Sequence, residues 1–140
     1  MAEGIMKEFL LYIWQLPQNL LGLILVWILK PESKVPYKGA MVHLVPKRLI
    51  GVSLGRYIIL RKNRKLDVAH EWGHCRQSMR LGWLYLLVVG VVSGLRSWLN
   101  IYKKGRYYDH WIERSADKLG GVWRDEYGIR RAPKDEEEQP

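Results

Sequence analysis

Asp67-Val68-Ala69-His70-Glu71-Trp72-Gly73-His74-Cys75-Arg76-Gln77-Ser78 is the stretch whose reading decides the fold. Its centre, His70-Glu71-x-x-His74, spaces two imidazoles so that a helix sets them one turn apart on one face. Imidazoles so placed reach one tetrahedral Zn²⁺, and Glu71, a step around the helix, reaches a water in the open coordination position. Zinc lowers the pKa of such a water towards neutrality, and a carboxylate beside it takes the proton as the water attacks a polarised carbonyl. Asp67 is placed to cap this helix and Gly82 to stop it. Cys75 follows a ligand directly but points off the ligand face, which marks it as a small buried residue.

A catalytic zinc site needs a third protein ligand. Tyr107-Tyr108-Asp109-His110-Trp111-Ile112-Glu113-Arg114-Ser115-Ala116-Asp117 reads as a short helix capped by Asp109 and stopped by Gly120 and Gly121. Glu113 and Asp117 share a face at a spacing of four. Glu113 is the candidate third ligand, and Asp117 can accept the second N–H of a ligating histidine and so fix its tautomer. His110 and Tyr107 (or Tyr108) are candidates to stabilise an oxyanion. His43, on an expected strand, reads as a packing residue.

H-E-x-x-H followed by E-x-x-A-D resembles the gluzincin group of zinc metallopeptidases, in which the glutamate is the third zinc ligand. His70-Glu71-Trp72-Gly73-His74 with Gln77-Ser78, then Leu81-Gly82-Trp83-Leu84-Tyr85-Leu86, then Glu113 to Asp117, is similar to a family of small bacterial proteins with an HEYGHxxQSxxLGxLYLL pattern and a downstream ExxAD. Ser53-Leu54-Gly55 with Tyr57-Ile58 also resembles that family, so the likeness runs over residues 37–121. Trp72 stands where those proteins carry Tyr, at a position that is not a ligand. The resemblance implies a zinc site, a hydrolase-like fold, and a substrate-side strand at residues 51–60 that pairs with an extended peptide. It names no substrate.

Charge and hydropathy say where such a site works. The chain has 140 residues, 23 Lys and Arg against 14 Asp and Glu, seven Trp and one Cys. That composition excludes a disordered chain, a collagen-like chain and a disulfide-stapled secreted domain. The net charge of +9 is uneven: residues 30–131 hold 21 Lys and Arg against eight acids, whereas residues 132–140 form an acidic tail expected to be disordered. Residues 9–29 carry no charge, a run of ~31 Å if helical, enough to cross a bilayer core. Gln15, Pro17, Gln18 and Asn19 interrupt it with a polar, helix-breaking patch. A second uncharged run, residues 81–95, gives only ~22 Å. Because His70 and His74 precede it and Glu113 follows it, it must return to the side it left, as a re-entrant hairpin or a buried core helix. Basic flanks on both sides of this run point to the cytoplasmic face.

The expected fold is therefore α+β: a mainly helical, minimal zincin-like domain at residues 31–131 with a small antiparallel sheet. An N-terminal membrane-associated helix at 1–30 precedes it and the acidic tail at 132–140 follows. The expected function is a membrane-associated zinc metallopeptidase of protein or peptide substrates, at the cytoplasmic side of a bacterial inner membrane. The basic cluster at residues 61–65 reads either as a solvated turn between strand and helix or as a contact for anionic lipid headgroups, and no nucleic-acid motif accompanies it. Two alternatives differ in chemistry. A non-catalytic metal-binding membrane protein would use the same ligands, whereas a site-2-type intramembrane protease would need an Asp from an apolar run, and neither run has one.

Overall fold

The computed structural model describes residues 2–46, 51–61, 64–98 and 110–131. Two helices open the chain, α1 (Ala2–Trp14) and α2 (Leu16–Leu29), bent by 79° at Gln15. The single N-terminal helix read from the sequence is thus a broken pair, and Pro17 is the reason. It sits in the first turn of α2, where a missing N–H is tolerated, and it cannot donate to the carbonyl of Ile13. That carbonyl instead accepts the Trp83 indole N–H at 3.2 Å.

Four strands follow: β1 (Ser33–Tyr37), β2 (Ala40–Leu44), β3 (Val52–Leu54) and β4 (Tyr57–Leu60). Their order is β1-β2-β4-β3, with β2 and β4 parallel and the other two pairings antiparallel. The expected antiparallel sheet is therefore mixed, because β3 passes to the edge and β4 returns to lie beside β2. The expected strand at 51–60 is a hairpin that turns at Gly55, whose φ is +62°. One sheet face presents Ala40, Val42, Ile58 and Leu60 to Val68 and Cys75 of the next helix, α3 (Lys65–Leu81). Burying Ile58 completely contributes about 2 kcal/mol. The other face carries Tyr57 against Gly22 of α2.

Arg64, not Asp67, occupies the N-cap of α3; Asp67 lies in its first turn, paired with Arg64 at 2.9 Å. The carboxylate still offsets the positive end of the helix from there. Gly82 stops α3 as expected, at φ +53°. Beyond it come a 3₁₀ turn (Gly82–Leu84), a π-helical stretch (Leu86–Val91) and α4 (Val92–Trp98). Leu86–Leu95 is bent 112° from Leu66–Leu84, and the segment buries Tyr85 and Val89 against Ile112, with Leu84, Leu87, Val91 and Leu95 exposed. Run 81–95 is thus a broken helix with one covered face, not wholly a core helix. Helix α5 (Trp111–Gly120) and a short hairpin, β5 (Trp123–Arg124) with β6 (Arg130–Arg131), complete the described chain.

Within the described residues no single helix is long and apolar enough to cross a membrane. The two bent pairs pass that test of length and composition only when each is taken together. Their corners lock onto one another. Gln15, Gln18 and Asn19 are fully buried. The Gln15 and Gln18 amides donate to the Ser78 hydroxyl at 2.9 and 3.3 Å, and Gln18 also donates to the Gly82 carbonyl. Asn19 donates to the Tyr12 carbonyl and accepts from the Arg56 N–H.

Candidate metal centre

The site is built where α3 and α5 cross, antiparallel and at backbone contact. A Cβ on Gly73 would meet the Ala116 carbonyl oxygen at 1.8 Å, and one on Gly120 would meet that of Ala69 at 1.9 Å. Only glycine allows that approach. Residues Ile112, Glu113, Ala116, Asp117 and Gly120 form the buried face of α5, so the amphipathic period delivers both carboxylates to α3 together. Gly121, in the left-handed region at φ +81°, ends the helix as the sequence indicated.

His70, His74 and Glu113 converge there, each buried, with one donor atom apiece inside 4.8 Å of the others. The Oε2 of Glu113 lies 3.1 Å from His70 Nε2 and 3.5 Å from His74 Nε2. Neither contact is a well-formed hydrogen bond, and Oε2 has no hydrogen-bond partner among the described residues.

The outer nitrogens explain why this matters. His70 Nδ1 sits 2.7 Å from Asp117 Oδ1, the role expected of Asp117. His74 Nδ1 sits 2.8 Å from Gln77 Oε1. The amide of Gln77 donates to the Ile112 carbonyl at 2.8 Å, which fixes Oε1 as the end that faces His74. Each Nδ1 is therefore the N–H donor, and each neutral ring turns its Nε2 lone pair towards the same carboxylate oxygen. Three electron pairs at one point require a cation, either a proton or a metal.

The titration behaviour agrees. Burial pushes the His70 pKa down, but the hydrogen bond to Asp117 and the nearby Glu113 and Glu71 carboxylates outweigh it and raise the value to about 9. Burial opposes ionisation of Glu113 too, yet the His70 and His74 contacts hold its pKa at about 2. Two imidazoles and a carboxylate fit a borderline-soft divalent ion such as zinc, and orienting hydrogen bonds on both rings are what a ligating histidine needs.

Glu71 stands beside the ligands without joining them. The Ser53 hydroxyl lies 2.6 Å from its Oε2 and 2.9 Å from its carbonyl oxygen. Ser53 is on the edge strand β3, and the Tyr85 hydroxyl holds that strand by donating to the Ser53 carbonyl at 3.1 Å. Ser53 thus ties the edge strand β3 to the Glu71 carboxylate.

The remaining candidates fare differently. His110 forms the N-cap of α5, accepting from the Ile112 N–H at 3.4 Å, the place expected for Asp109. Tyr107, Tyr108 and Asp109 lie outside the described residues, as do Lys62 and Asn63 within the basic cluster and the tail at 132–140. His43 is buried and stacked on Tyr57, away from the metal ligands, and burial with Lys34 nearby lowers its pKa. Cys75 is fully buried, as expected, and burial pushes its thiol pKa up.

Sequence reasoning gave Gln77 and Ser53 no role, although Gln77 follows His74 by three residues, on the same helix face. It also missed Arg130, whose guanidinium pairs with Asp117 at 2.6 Å. Comparison with family models, with curated proteins and with solved structures finds no match to this chain.

Proposed function

We propose that the protein is a membrane-associated zinc metallopeptidase of gluzincin type, with His70, His74 and Glu113 as ligands and Glu71 as general base. The observation that carries this reading is the meeting of two Nε2 lone pairs and the Glu113 Oε2 at one buried point. Bound zinc would supply an acidified water and polarise the scissile carbonyl. The chain's own residues do the rest. Glu71 accepts the proton of the attacking water and passes it to the leaving amine, while Ser53 holds its carboxylate in place. Asp117 and Gln77 keep both histidines in the ligating tautomer. The edge strand β3, which carries Ser53 beside Glu71, lies where an extended peptide would run.

Membrane association rests on an inverted surface. Ile5, Phe9, Leu23 and Trp27 of α1 and α2 are exposed, as are Trp83 and Leu87, while Gln15, Gln18 and Asn19 are buried. Apolar area on that scale needs a lipid or protein cover. The excess of Lys and Arg at residues 30–131 sets the site on the cytoplasmic side.

Metal analysis of the purified chain should find one zinc per protein, and Glu113→Ala should weaken zinc binding on the order of 1000-fold, one ligand's share of a structural-scale affinity. Glu71→Gln should keep zinc and lose about 100- to 10000-fold in peptide hydrolysis. A Glu113→Ala protein with full zinc sinks the ligand set. A Glu71→Gln protein as active as wild type removes Glu71 as base. The competing reading, metal binding without turnover, is favoured by one feature, the Ser53 hydroxyl already engaging Glu71 Oε2. Zinc uptake without hydrolysis of any peptide in a degenerate library would select it.

A further inference from the structure

The seam between α3 and α5 has a second side, turned away from the metal ligands. There a groove of about 920 Å³ is lined by Arg76, Arg80, Arg114 and Lys118, with Trp111 and Ser115. No acidic residue lines it among the described residues. The chain pairs its cations elsewhere: Arg56 with Glu8, Arg64 with Asp67, Arg130 with Asp117 and Arg131 with Asp125. None of the four groove cations has a carboxylate partner among the described residues. Arg76 donates to the Leu119 carbonyl at 3.4 Å. Four cations that converge without a counter-charge repel one another, and an anion in the groove relieves that repulsion.

The groove's position identifies the anion. Helices α3 and α5 run antiparallel, with Ala69 against Gly120, Gly73 against Ala116 and Gln77 bonded to Ile112. The end of α3 that carries Arg80 therefore lies beside the start of α5 that carries Trp111. Two residues after Arg80 the chain turns the Gly82 corner into exposed Trp83 and Leu84. Trp111 itself is 60% exposed. The cationic wall is thus continuous with the apolar surface, and a tryptophan stands at the boundary, as at membrane interfaces.

We propose that this groove is a binding site for the phosphate headgroups of anionic phospholipids, which would anchor α3 and α5, and so the metal site, against the bilayer surface. The proposal rests on the membrane reading above. It assigns the headgroup contact to the α3–α5 seam, not to the basic cluster at 61–65.

Vesicle co-sedimentation of the full-length, zinc-loaded chain tests it, using phosphatidylcholine vesicles with and without phosphatidylglycerol. The wild type should bind neutral vesicles through its apolar surface and bind anionic ones more tightly. The triple variant Arg80→Gln/Arg114→Gln/Lys118→Gln should keep its zinc and its neutral-vesicle binding. It should lose the anionic gain, about fivefold per cation and so on the order of 100-fold in all. Lys30→Gln/Lys34→Gln/Lys38→Gln removes equal charge from residues that do not line the groove and should lose much less. Equal losses in the two variants, or no loss in the first, overturn the groove while leaving the membrane reading intact. Failure of the wild type to bind either vesicle overturns both. Saturable binding of inorganic phosphate or of a single-stranded oligonucleotide at the groove, with no anionic-lipid gain, replaces the lipid by a soluble anion or a nucleic acid.

Discussion

Helix α3 carries two buried polar networks, and they solve opposite problems. At His70 and His74 the network is ionic and converges on a point that lacks only a cation. One turn further, at Ser78, it is made of neutral amides and carbonyls and holds together the corners of two broken apolar helices. The first keeps donors in place for a ligand, so its groups meet as acceptors around a shared centre. In the second the amide donors find acceptors in Ser78 and Gly82, while the Gln15 and Gln18 amide oxygens have no hydrogen-bond partner among the described residues. Neither burial nor an unpartnered atom marks a site by itself; what sets the first network apart is that two ring nitrogens and a carboxylate oxygen, all acceptors, share one centre.

The sharpest way to break the comparison is at the crossing that creates the first network. Gly73→Ala places a methyl where the Ala116 carbonyl lies, and two helix backbones must part to admit it. Overpacking of this kind costs about 3 kcal/mol, read as a fall in the thermal midpoint. Zinc affinity should fall with it, because Glu113 moves away with α5. A Gly73→Ala protein with unchanged zinc affinity would mean that the crossing distance does not set the site.

Asp117→Ala is milder. It removes the acceptor for His70 Nδ1 but leaves all three ligands, so zinc affinity should drop about 10- to 100-fold in chelator competition. Ser78→Ala attacks the second network alone. Two buried amide donors lose an acceptor, at a cost of about 1–2 kcal/mol in stability, while zinc affinity stays at the wild-type value although Ser78 lies one turn from His74. A shift in zinc affinity with Ser78→Ala would show that the two networks are one.

How much of this was legible follows from the reach of each interaction along the chain. His70, His74, Glu113 and Asp117 could be read because helical spacing puts each pair on one face, and Gln77 could have been read the same way. Gly73 and Gly120 were visible as residues, but the approach they permit is a property of two helices. The mixed sheet was hidden because the strand pattern of 40–60 does not say whether β3 or β4 lies next to β2. The polar patch at 15–19 read as an interruption of a span. Its partners Ser78 and Gly82 lie some sixty residues away, and nothing local announces them.

Arg130 was the least legible, since it reaches the site through a separate hairpin, and it poses the finest test. Its guanidinium shares Asp117 Oδ1 with His70 Nδ1. It could serve as a prop that orients Asp117, or as a charge that offsets it. As a prop, its loss would weaken zinc binding in the direction of Asp117→Ala. As a charge, its loss would strengthen binding, because a positive group near a divalent cation is removed and Asp117 gives its full density to His70. The carboxylate is also fixed by its position on α5, whose packing against α3 does not involve Arg130, so the charge effect should win. Across roughly 8 Å, repulsion between a guanidinium and a divalent ion is about 1 kcal/mol even at the dielectric of water. Arg130→Met, which keeps the packing of the stem, should therefore bind zinc about fivefold more tightly in chelator competition. Weaker binding would instead make Arg130 the prop and extend the cation network into the hairpin.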